Sequence, residues 1–234
     1  MKAMSRVGWG LFWFLSFLGG VLAFRFVPGG FSNGFLPALD QGLGAALYEG
    51  VYVGIRDDFK HIYYHVEERL TPLLFHMLVG AIPIFFIPFQ MWKGFRNKHL
   101  KLHRWMGRAA LVGIILSAWG AVNIAIAMDI PAWGRAGFVI GALVWVSAAL
   151  WATWCAMQRR IRQHQDWMVI TAAMTFGAVM IRLEFPIWRQ FFTFEVAYAY
   201  AAWSSWVLNL LAVYLWRLFS RRGALRPRAA NPGH

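Results

Sequence analysis

Few residue types in this chain could carry chemistry, and histidine leads them. His103 opens the stretch HRWMGR at 103–108 and His164 opens HQDWM at 164–168, so two imidazoles stand 61 residues apart in similar surroundings. Each follows a basic stretch and precedes Trp-Met and a long apolar run. A neutral imidazole nitrogen binds haem iron axially, and a helical bundle offers an apolar slot for the macrocycle. Two such histidines at one height could therefore hold a haem, with Arg104 and Arg108 beside them to neutralise its propionates. The sequence contains no CxxCH, so that haem would be non-covalent, a haem b. A histidine flanked by Arg and Trp also serves to anchor a helix at the headgroups, and a quinone of headgroup size is a third use.

Three of the five remaining histidines fall into two groups. His76 lies about one and a half turns inside its apolar run, roughly 24 Å from that run's far end at 1.5 Å per residue, and cannot share an iron with His103 or His164. A second centre at His76 would need His61 or His65 folded in from the preceding loop. Those two belong to another pattern, in which Asp57, His61, His65 and Glu68 fall on one face of a helix over 56–70. HxxxH with flanking carboxylates has the spacing to hold zinc or copper. The same residues also read as the solvated side of an amphipathic helix whose Ile62, Tyr63, Val66 and Leu70 rest on lipid or protein.

Arg182 and Glu184 sit near a hydrocarbon edge, where charges pair or face a cavity. Pairing of Arg182 with Glu184, Glu195 or an acidic group of the preceding loop is one reading, and contact with an anionic substrate is another. Cys155 stands alone, which excludes an intramolecular disulfide and suits a small core residue. Ser117, Thr171 and Thr175 read as hydrogen-bonding residues between helices. No GxSxG, CxxC, phosphate-binding loop or HExxH is present.

The elements that must position these groups follow from hydropathy. Hydrophobic residues make up 59% of the 234, charged residues only 14%, and mean hydropathy is positive, which a soluble domain of this size rarely matches. Six apolar runs, at about 7–24, 71–92, 105–127, 136–157, 166–184 and 197–217, are each long enough to cross roughly 30 Å of hydrocarbon as helix. The first exceeds a typical signal core and lacks a small-x-small cleavage site, so it reads as an anchor. The fold expected is an all-α polytopic bundle, a single transmembrane domain over 1–234. Its core spans about 71–184, and an outer connection at 25–70 begins with the turn-rich Pro28-Gly29-Gly30.

Charge orients the bundle. Lys2, Arg6, the basic residues from Lys93 to Arg108, Arg159, Arg160, Arg162 and the tail from Arg217 to Arg228 put sixteen of the 23 basic residues on one side. Of the ten acidic residues only Asp166 falls there. Loops rich in Lys and Arg stay cytoplasmic, so both chain ends are expected inside. The formal charge of +13 arises beside the spans, with no soluble basic domain to hold a duplex. It therefore points to anionic lipid rather than nucleic acid. Fourteen Trp, many near span ends, fit an interfacial aromatic belt. The hairpins leading into His103 and His164 read as weak internal repeats, which would set the two imidazoles at equal depth.

His76 early in a span, HRWMGR, HxxWM and Arg182-Leu183 together resemble a bacterial family of predicted membrane proteins known as domain of unknown function 2306, over about residues 70–185. The resemblance implies a multi-pass protein of the bacterial inner membrane and no particular activity. The family's second motif is richer in arginine than this one, which has Gln165, Asp166 and Ile170 at those places. The functional expectation is membrane electron transfer through a haem b between His103 and His164, with a quinone or a membrane complex as partner. The alternative is a cofactor-free accessory or assembly subunit. A transporter would show more polar side chains near mid-membrane than Asn123 and a few hydroxyls.

Overall fold

The computed structural model describes residues 70–224 and the single position 14. The expected first span, the connection up to residue 69 and the ligand pattern Asp57, His61, His65 and Glu68 lie outside the described residues. Among those described, every regular element is helical: α1 (Leu70–Leu74), a π-helical turn (Phe75–Val79), α2 (Gly80–Met91), α3 (Lys93–Lys98), α4 (Leu100–Ala127), α5 (Ala132–Met157), α6 (Ile161–Thr175), α7 (Gly177–Trp188) and α8 (Phe194–Ala224).

Five stretches are long and apolar enough to cross a membrane: Thr71–Met91, Leu100–Ala127, Ala132–Met157, Ile161–Trp188 and Phe194–Phe219. They coincide with the last five runs expected from hydropathy. Four of them begin three to five residues earlier, because a helix continues into polar sequence once its backbone bonds are started. That extension sets both His103 and His164 one turn inside a helix rather than at its first residue.

The chain crosses back and forth, so α4 and the α6–α7 span run parallel, and the loops rich in Lys and Arg gather at one end, termed here the basic face. In the bundle α4 lies between α2 and α5, and α6 lies against α5 and α8 and touches α2, which leaves α4 and α6 diagonal. The last span, beyond the expected core of about 71–184, lies against α5, α6 and α7.

Small residues bring the helices together, as membrane packing requires where lipid is as apolar as leucine. A Cβ on Gly120 would fall 2.3 Å from the Pro72 carbonyl oxygen, and one on Gly134 would fall 2.4 Å from the Ala199 methyl. Gly137 and Gly141 of α5 lie beneath the indole rings of Trp203 and Trp206. Pro83 and Pro88, both fully buried within α2, leave the carbonyls of Val79 and Ile84 without their helical donors. The Val79 carbonyl turns instead toward Gly113 of α4, and the π-helical turn that precedes it contains His76. The span formed by α6 and α7 breaks at Phe176, after Thr171 and Thr175 bond back to carbonyls four residues earlier (3.0 and 2.8 Å).

Candidate functional site at the basic face

Helix α4 starts at Leu100 and α6 at Ile161, which makes His103 and His164 the fourth residue of each. Their backbone N–H groups close the first helical turns onto the His99 and Arg160 carbonyls, each at 2.9 Å. Two parallel helices beginning at the same face thus hold the two imidazoles at matching height. The positive charges of Arg96, His164 and Arg104 are felt at His103.

The two rings are held differently. His164 Nδ1 lies 2.9 Å from the Ala152 carbonyl, which can only accept, so Nδ1 carries the proton. In the neutral ring this tautomer leaves the lone pair on Nε2, the arrangement a metal-binding histidine uses. The corresponding carbonyl for His103 would come from the end of α2, but that helix stops at Met91 and Trp92 is extended, with ψ of 108°. His103 Nδ1 is accordingly buried with no hydrogen-bond partner. Its backbone carbonyl accepts from Gln90 Nε2 at 3.0 Å, and Gln90 Oε1 lies near Gly107, at a distance that would also accommodate a Cβ. Gln90 is buried and Arg96 belongs to α3 in the preceding loop. Sequence reasoning missed both as neighbours of His103, although a lone amide in an apolar span is itself a signal.

The flanking arginines part ways. Arg104 is exposed and acts on His103, whereas Arg108 lies 5.2 Å over the ring of Trp105, itself 66% exposed. A b-type haem held here would take Nε2 of each ring as its ligands, with the cations of Arg96 and Arg104 near His103 for its propionates. Among the described residues no group of three or more His, Cys, Asp or Glu could hold a bare metal ion.

His76 belongs to a separate place. Its Nδ1 lies 3.1 Å from the Ser117 carbonyl and 3.2 Å from Ser117 Oγ, while that hydroxyl donates to the His76 carbonyl at 2.9 Å. Ser117 is fourteen residues beyond His103 along α4, about 21 Å at 1.5 Å per residue, so the expected separation from the His103–His164 pair holds. Arg182 stands near His76 and Tyr198, and it donates to the Ala178 carbonyl. Glu184 points round the other side of α7, where Ser204 Oγ donates to it and Trp188 Nε1 donates to Ser204 at 3.2 Å. Two positions apart on a helix means about 200° of rotation, so Glu184 faces α8 rather than Arg182.

An all-helical bundle of apolar spans with charged residues gathered at its ends defines a polytopic membrane protein. The profile of the family described as predicted membrane protein, DUF2306, matches residues 73–217, and the chain belongs to that family. The match runs into α8, beyond the stretch of about 70–185 on which the resemblance rested. No curated protein and no solved structure matches the chain.

Proposed function

We propose that this membrane protein takes part in electron transfer by holding a non-covalent b-type haem between His103 and His164. The observation that carries the reading is the pair itself: two imidazoles at the fourth residue of parallel helices that start at the same face, one of them oriented by the hydrogen bond from His164 Nδ1 to the Ala152 carbonyl. Bound haem supplies one-electron redox chemistry. Ala152 orients the ring of His164, Gln90 ties the His103 turn to α2, and Arg96 and Arg104 offer charge to the propionates. On this reading the face rich in Lys and Arg lies on the cytoplasmic side of a bacterial inner membrane, as the charge bias supports, and the electron partner is a quinone or a neighbouring membrane complex.

Protein purified from haem-replete cells should show a Soret band that shifts on reduction. His103→Ala and His164→Ala should each remove it, and His76→Ala should leave it in place. Colourless protein sinks the proposal. One pair of contacts favours a second reading, because the His164–Ala152 and Gln90–His103 bonds also lock α6 to α5 and α4 to α2 with no cofactor present. A cofactor-free accessory subunit would copurify with a respiratory complex and carry no pigment of its own.

A further inference from the structure

Helices α5 and α6 leave a groove of about 420 Å³ between them, walled by Ile140, Leu143, Ser147 and Trp151 from α5 and Trp167 and Ile170 from α6. Ile140, Leu143 and Trp151 are exposed, so the groove opens on the outer surface of the bundle, where lipid would surround it. Its wall is apolar apart from the Ser147 hydroxyl. From Ile140 to Trp151 it follows α5 for about 16 Å at 1.5 Å per residue, most of the length of a fatty-acyl chain.

The end of the groove nearest the basic face leads into cations. Trp151 lies against Trp154 (ring centroids 4.8 Å apart) and meets Trp167 at 6.3 Å. The Arg160 guanidinium stands 5.1 Å over the Trp154 ring. Arg159 precedes it in the turn between α5 and α6, Arg162 follows it in the first turn of α6, and all three arginines are exposed. Arg159 adopts a φ of 59°, a backbone conformation that glycine would take with less strain. Asp166, the one acidic residue at this face among the described residues, is engaged by Arg217 at 3.5 Å and so leaves the three arginines' charge uncancelled.

We infer that the α5–α6 groove and its arginines form a binding site for an anionic phospholipid, with one acyl chain along the groove and the phosphate at Arg159, Arg160 and Arg162. The apolar wall alone would suit any lipid or a partner helix. The cluster of cations at its headgroup end selects a negatively charged one, because each basic residue near a membrane surface contributes about five-fold in affinity for anionic lipid. The site stands independently of the haem reading.

Native mass spectrometry of the full chain, released from nanodiscs holding equal phosphatidylglycerol and phosphatidylcholine, tests it. The wild type should retain phosphatidylglycerol preferentially, and Arg160→Gln with Arg162→Gln should lower that preference by at least ten-fold. Ser147→Trp should fill the groove and reduce retention while leaving the arginines in place. Monodisperse elution and an unchanged helical circular dichroism spectrum confirm that each variant folds. Equal retention of the two lipids by the wild type overturns the site, as does undiminished phosphatidylglycerol in Ser147→Trp. Loss of a larger assembly in Ser147→Trp, with lipid unchanged, assigns the groove to a partner helix and overturns it equally.

Discussion

The histidines show how much a single side chain depends on the carbonyl it meets. His103 and His164 look alike in sequence, yet one ring is fixed by Ala152 and the other keeps a buried nitrogen that nothing fills. A buried polar atom without a partner costs about 1–3 kcal/mol, and iron ligation at Nε2 would leave that cost at Nδ1 in place. His76 has no such vacancy at Nδ1, because Ser117 satisfies it twice over. Ser117→Ala removes the hydroxyl but keeps the carbonyl, so it should cost only about 1 kcal/mol, within the range for hydrogen bonds between membrane helices. Thermal unfolding in detergent should show that modest loss, with any Soret band unaltered. A spectrum that changed with Ser117 would tie the two places together and break the separation argued above.

Individual helices owe their positions to close backbone approach. Gly120 of α4 abuts the Pro72 carbonyl and the His76 backbone, neither of which can swing aside as a side-chain tip would. Gly120→Ala should therefore force α1 and α4 apart and destabilise the bundle by about 1–3 kcal/mol. Gly177, at the start of α7, has nothing nearer than 3.7 Å to a new Cβ. Gly177→Ala should be neutral or stabilising by up to about 1 kcal/mol, since alanine is the better helix former. Denaturant titration of the two variants side by side checks the contrast, and equal losses would remove the packing argument. The positions of the helices were legible in hydropathy to within a few residues. Their contacts were not, because which of 22 glycines faces a neighbour depends on how each helix turns about its own axis.

The molecule as a whole is asymmetric in charge, and its orientation is testable with its own chemistry. Cys155 is the single cysteine and is completely buried, so the native chain should resist a membrane-impermeant maleimide. Asp129 and Gln158 are exposed at opposite ends of α5. Asp129→Cys should label in intact cells and Gln158→Cys only after permeabilisation, as the distribution of Lys and Arg requires. The reverse pattern would put the His103–His164 site on the outer side and overturn the cytoplasmic assignment.

What the sequence determined by itself was local: apolar runs long enough to cross a bilayer, the side to which Lys and Arg fall, and two histidines at equivalent places in two hairpins. These follow from hydropathy and from a fixed rise of 1.5 Å per residue, which need no knowledge of any partner. Tertiary structure decided which groups those residues meet. It brought Gln90 and Arg96 to His103, drew Arg108 onto Trp105, turned Glu184 to Ser204 and set His76 against Ser117. Arg108 lies on the helix of its own partner, yet even there the rotamer chose Trp105 over the inward face. The other choices depend on the rotation and offset of packed helices, a matter of shape between segments that no single stretch of sequence contains.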